Sequence, residues 1–161
     1  MSPSGTKNPT QPPALPETVE RAEEILRFWF ADALDSREAL ERRMESWFGG
    51  ESDAAATKVI DRQIERQFSG DMERAARGEQ NWARTPRGRL AIILLLDQFP
   101  RNVFRGTARA FATDSMALEL ALSGMHLGAD TALHVVERLF LYMPLQHAER
   151  PDVQDLSLIH I

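Results

Sequence analysis

Apolar residues recur along this chain at intervals of three and four rather than two, and a few strong punctuation points break the recurrence. Residues 16–30 read as a first helix, with Val19, Ala22, Ile25, Leu26 and Trp29 on one face and Glu20, Glu23, Glu24 and Arg27 elsewhere. Ser36 is placed to N-cap a second helix running to Phe48, with Leu40, Met44 and Trp47 as its stripe and Gly49 as its stop. Asp53 caps a third, in which Val59, Ile60, Ile64 and Phe68 recur at helical spacing; 72–77 is a shorter helix or its continuation, ended by Gly78. Thr85 followed by Pro86 is a capping hydroxyl with proline at the first helical position. The helix that starts there is apolar all round by Ile92 to Leu96, which marks it as the central buried element.

Pro100 ends or kinks that helix, because proline removes the hydrogen bond to Leu96 and disfavours helical geometry at Phe99. Thr113 or Asp114 caps the next helix, which carries Met116, Leu118, Ala121, Leu122 and Met125 to a stop near Gly128. Asp130 precedes a last amphipathic stretch, 135–143, closed by Pro144. No segment alternates with period two between hairpin turns. The prediction is an all-α single domain of about seven helices, arranged as hairpins around a central apolar helix at 86–98.

Composition narrows the class. The 161 residues and 43% hydrophobic content suffice for one real core. A net charge of -5 argues against a broad nucleic-acid footprint or an anionic-membrane footprint, either of which calls for a basic face. The longest apolar run, 90–96, is far short of the roughly 20 residues that span a bilayer. With no cysteine there is no disulfide and no thiolate chemistry, which suits a reducing, cytoplasmic setting, and any metal would need His and carboxylate ligands. Neither a metal site nor a cofactor is expected.

The two ends stand apart. Residues 1–16 carry five of the nine prolines among Ser, Thr, Gln and Gly, and are expected to be a disordered tail preceding a helical domain at 17–155. Residues 156–161, LSLIHI, are what a transposon-end sequencing adapter encodes when translated. The natural sequence is therefore expected to diverge near Asp155, with at least one further helix following.

The candidate chemistry gathers after the central helix. Asp97 sits at its C-terminal end, where both desolvation and the negative end of the macrodipole disfavour a carboxylate, so a cation is expected beside it. Arg101 and Arg105 are four apart and share a helical face, which calls for an anion between them. Two explanations fit. Asp97, Asp114 or Glu137 supplies that anion in a purely structural network. Alternatively, Arg101, Arg105 and Arg109 receive a carboxylate or phosphate, with Gln98 and Asn102 orienting it. His147 is either a polar turn residue after the Pro144 break or a general base or metal ligand paired with Asp97 or Glu149. Glu137 and Arg138 are adjacent and cannot face each other, so one of the two is expected to point into the arginine cluster. Trp29, Trp47 and Trp82 either close the core or line a groove. Isolated Gly88 and Gly106 do not make a phosphate loop, and Ser46, Ser69 and Ser123 form no recognisable triad.

Four blocks, ILRFWF from Ile25, SWFGG from Ser46, NWARTPRGRLAIILLLDQFPRNVFRGTARAFATD from Asn81 and ERLFLYMPLQHAE from Glu137, resemble the signature of a bacterial helical family, domain of unknown function 924. The resemblance implies an α-helical, tetratricopeptide-like fold and brings no established activity. The chain departs from that pattern at Ser115, where proline is expected, at Ala148, where a hydroxyl is common, and in lacking a final helical region. Together these observations favour a binding or scaffold module whose groove runs between 97–105 and 137–147 and takes an acidic small molecule or peptide. The rival is a small hydrolase using Asp97 or His147, with the arginines stabilising a developing anion.

Overall fold

The computed structural model describes residues 17–49 and 53–160, and within them every regular element is helical. The eight α-helices are α1 (Glu17–Phe30), α2 (Arg37–Phe48), α3 (Ala54–Ala76), α4 (Pro86–Leu96), α5 (Gln98–Val103), α6 (Asp114–His126), α7 (Val135–His147) and α8 (Pro151–His160). Short 3-10 turns at Trp82–Arg84, Ala108–Phe111 and Ala129–Ala132 link them. The tail expected at 1–16 lies outside the described residues. No helix among the described residues is long and apolar enough to cross a membrane.

The predicted starts are set by local hydrogen bonds. Ser36 accepts from the Ala39 amide, Asp53 from Ala56 and Thr85 from Gly88, each satisfying a donor that the first helical turn leaves free. From Gly88 to Leu96 every residue of α4 is buried, and α1, α3, α6 and α7 pack around it. At roughly 1.5–3 kcal/mol for each fully buried aliphatic side chain, this helix anchors the core. Ile25, Leu26 and Trp29 of α1 and Ile64 and Phe68 of α3 complete the stripes that their spacing predicts. By contrast, α2 buries only Ala39, with Leu40 and Trp47 half covered and Met44 exposed. Its Trp47 ring packs on Trp29 and Phe140, which sets the helix against α1 and α7.

Both proline expectations need adjusting. The interruption caused by Pro100 appears at Asp97 rather than Phe99, which stays helical in α5. The proline ring clashes with the carbonyl four residues back, so the backbone turns just after Leu96, and the Leu96 carbonyl accepts the Thr113 hydroxyl at 2.6 Å instead. That bond also explains why Thr113 gives no side-chain cap to α6, and Asp114, the other candidate, is spent on Arg101. Pro144 does not close α7, which continues one turn further to His147. Its start is fixed by His134, whose ring accepts from Val136 N while Glu137 accepts from His134 N in a capping box. The buried Asp130, expected just before this helix, accepts the Tyr142 hydroxyl at 2.6 Å.

Candidate functional site

The kink at Asp97 and the extra turn of α7 bring together two residues fifty positions apart. Asp97, with no exposed side-chain surface, contacts Nδ1 of His147 through Oδ1 at 2.8 Å. The same oxygen accepts from Arg101 at 3.2 Å, and Oδ2 accepts from Gln98 at 2.8 Å. Arg101 is shared: it also donates to the Asp97 carbonyl at 2.8 Å and forks onto both oxygens of Asp114, each at 2.8 Å. Burial alone would lower the pKa of this guanidinium, but the Asp114 hydrogen bond and the charges of Asp97 and Asp114 outweigh it and raise the pKa. The buried carboxylate therefore has a permanent cation beside it.

His147 is 25% exposed and forms part of the wall of a cleft of about 750 Å³ between α2, α3, α5 and α7. The apolar part of the wall is Trp29, Trp47, Phe48, Ile60 and Met143. Trp47 stacks on Trp29 at 5.9 Å and meets Phe140 edge-on at 4.7 Å, and the buried indole N–H groups of Trp29 and Trp47 have no acceptor among the described residues. A buried donor left unpaired costs about 1–3 kcal/mol. Trp82, by contrast, belongs to the core.

The polar part contains Arg43, Lys58, Asp61, Gln98, Arg101, Asn102 and Arg105. Asp61 takes Asn102 at 2.9 Å and both arms of Arg105 at 3.1 Å. Arg105 and Asn102 are thus in the cleft as predicted, but they are held by a carboxylate on α3 that the sequence reading did not single out. A signal for it exists. Thr57, Asp61, Ile64 and Phe68 fall on one helical stripe, so a carboxylate occupies a core-facing position. Arg43 donates to the carbonyls of Trp29 at 2.9 Å and Phe28 at 2.7 Å, which satisfies the C-terminal end of α1 and fixes α2 against it. Burial lowers the pKa of Arg43, with the charge of Asp32 partly offsetting it. Neither Arg43 nor Lys58 makes an ion pair among the described residues.

Three predicted members lie elsewhere. Glu137 is buried and binds Arg87, which also grips Glu23 at 2.7 and 2.9 Å, so this carboxylate ties α7 to α4 and α1. It sits ten residues from His147 on the same helix, about 15 Å along the axis, and cannot join the arginine cluster. Arg138 donates to the Leu133 carbonyl at 3.1 Å and Arg109 lies over the Phe104 ring at 3.9 Å. Glu149, the other carboxylate considered for His147, is exposed, and Asp97 takes the ring instead. Among the described residues no group of three His, Asp or Glu side chains is arranged to hold a metal ion. A smaller cleft of about 430 Å³, bounded by Ala75, Ile92, Leu96, Met116 and Leu120, contains no acid-base pair.

No curated protein matches the chain. Among solved structures it is similar to the protein of unknown function ATU0120 from Agrobacterium tumefaciens, with 33% identity and a TM-score of 0.73. The match covers 89% of this chain and 73% of that one. A family described as bacterial protein of unknown function matches residues 25–161, which include the kink, the arginines and His147. The chain therefore belongs to that family, DUF924.

Proposed function

We propose that the cleft binds a small organic anion, a carboxylate with a flat apolar portion, and that the protein works as a helical binding module. The observation that carries this reading is the pair of cations that make no ion pair among the described residues, Arg43 and Lys58, in the same cleft as an aromatic wall. Guanidinium and ammonium groups beside an apolar surface match an anionic head on an apolar body. The charge that the sequence assigned to Arg101 and Arg105 is already compensated by Asp97, Asp114 and Asp61, so recognition shifts to α2 and α3. Successive packing of α6 on α7 and of α7 on α8 supports the tetratricopeptide-like arrangement, in which such a groove is a usual ligand surface.

The test is a thermal-shift series with benzoate, succinate and phosphate on the wild type and on Lys58→Glu. A ligand of the native state raises the melting temperature by mass action. Benzoate is expected to stabilise the wild type more than phosphate does, and to leave Lys58→Glu unmoved. Equal responses of the two proteins, or none in the wild type, would refute the assignment.

A further inference from the structure

We infer that the cleft is also hydrolytic, and that Nε2 of His147 is the general base that activates water against a carboxylic ester. This inference rests on the anion-binding assignment above for its substrate, and on an independent set of contacts for its chemistry. Asp97 does not need His147 for charge compensation, because Arg101 and Gln98 already serve it. What the His147 contact adds is control of the imidazole. A carboxylate at Nδ1 keeps the proton of the neutral ring on that atom and leaves the Nε2 lone pair as the basic site. No described residue is bonded to Nε2, and the ring is partly open to the cleft.

The backbone supports the same placement. Asp97 stands at the kink that Pro100 imposes, and α7 runs through Pro144, at the cost of a helix hydrogen bond, to present His147 on its last turn. Both members of the pair are thus fixed to helix ends rather than to loops, which is what a catalytic geometry requires. The charged groups that line the cleft with the ring are Arg43 from α2, Lys58 and Asp61 from α3, Arg101 from α5 and Arg105 from the turn after it, and Asp97 at the kink contacts the ring itself. Of these, Arg43 and Lys58 make no ion pair among the described residues, so Lys58 and the Nη1 arm of Arg43, which does not donate to the α1 carbonyls, are the donors available to a developing oxyanion.

The reaction needs only water. Nε2 takes a proton from a water molecule as its oxygen bonds to the acyl carbon, and the carbonyl electron pair moves to oxygen, giving an alkoxide beside the cations. Collapse of that alkoxide breaks the bond to the leaving oxygen, which receives the proton back from Nε2. Ester and water become carboxylic acid and alcohol, and the imidazole returns to its starting form. Asp97 acts as a positioning residue.

The experiment uses two probes, neutral nitrophenyl butyrate and anionic nitrophenyl hemisuccinate, on the whole chain, with His147→Ala and His147→Gln alongside. The wild type is expected to cleave the anionic ester faster, and each variant to lose roughly 100-fold or more in kcat, the usual contribution of a general base. Added imidazole should restore turnover to His147→Ala but not to His147→Gln, whose side chain fills the space; a structural role for the ring would show no such rescue. Variants that cleave as fast as the wild type overturn the inference. So does a wild type that is stabilised by benzoate yet shows no turnover, and in that case the anion site stands without the chemistry. Absence of both stabilisation and turnover defeats both proposals.

Discussion

Replacing Arg101 by alanine separates the buried charge network from its neighbour at Arg105. In the wild type, Arg101 is, among the described residues, the one guanidinium that touches Asp97, whose side chain has no exposed surface, and it also neutralises the half-buried Asp114. Its loss leaves the Asp97 carboxyl group buried in the core without a cation, with only an imidazole and an amide as side-chain partners. Removing one partner of such a pair costs about 3–5 kcal/mol, because the remaining charge is still desolvated. Arg105 is 56% exposed and pairs with Asp61 at the surface, where a pair contributes about 1 kcal/mol or less. In a domain near this size 1 kcal/mol moves the melting temperature by roughly 2–4 °C. Arg101→Ala should therefore melt roughly 6–20 °C lower and Arg105→Ala no more than about 4 °C lower. Far-ultraviolet circular dichroism during heating, repeated in urea, reads both. Equal small shifts for the two variants would mean that Asp97 does not depend on Arg101, and the assignment of Arg101 as its compensating cation would fail.

Two further expectations concern the frame around the cleft. A methyl group at Gly88 would stand 2.1 Å from the Trp82 carbonyl oxygen and 2.8 Å from the Thr85 hydroxyl that caps α4, so Gly88→Ala should cost about 3 kcal/mol in urea unfolding. Gly78→Ala meets open space and bears only the strain of φ +71°, about 1 kcal/mol; matching losses at the two sites would contradict the steric argument. Tyr142, the single tyrosine, has its pKa pushed up to about 12 by burial and by its hydrogen bond to Asp130. An unfolded chain loses that proton near pH 10, so between about pH 10 and 12 the native state binds more protons and stability falls as pH rises, by about 2–3 kcal/mol in total. Tyrosinate absorbance of the folded protein should titrate with the raised midpoint, and a midpoint near 10 would show that the phenol is not held.

The features legible in the chain are those decided within one or two helical turns. Ser36, Asp53 and Thr85 cap their helices because the acceptor and its amide lie three residues apart, a relation that sequence displays directly. The Leu96 carbonyl freed by Pro100 is likewise legible, but its new partner, Thr113, lies seventeen residues away and is not. Pro144 shows the limit of a local rule: the lost hydrogen bond is real, yet packing of Phe140, Leu141 and Leu145 in the core holds the helix past it. Charge pairing is harder still. The sequence marks Asp97 as needing a cation and Arg101 as needing an anion, and these two find each other four residues apart. Glu137 could have served the same arginines on composition alone. Only the direction in which α7 presents its first turn, toward Arg87, decides otherwise.

Structural and functional explanations of the cluster need not compete. A carboxylate that is to fix an imidazole must stay ionised, and one with no exposed surface stays ionised only if a cation is buried with it. Arg101 supplies that cation from the next turn of helix, and Asp114 in turn anchors Arg101 through both of its carboxylate oxygens. A network whose sole task was to close the core would gain from replacement by apolar side chains, since buried ion pairs are frequently no more stable than hydrophobic packing. The ionic arrangement has one property that apolar packing lacks, which is that it sets a carboxylate against Nδ1 of a partly exposed histidine at the wall of a cleft, the contact on which the general-base proposal rests. The same four residues, Asp97, Arg101, Asp114 and His147, thus account for a stability cost that Arg101→Ala exposes and for a basic nitrogen that the ester assay reads.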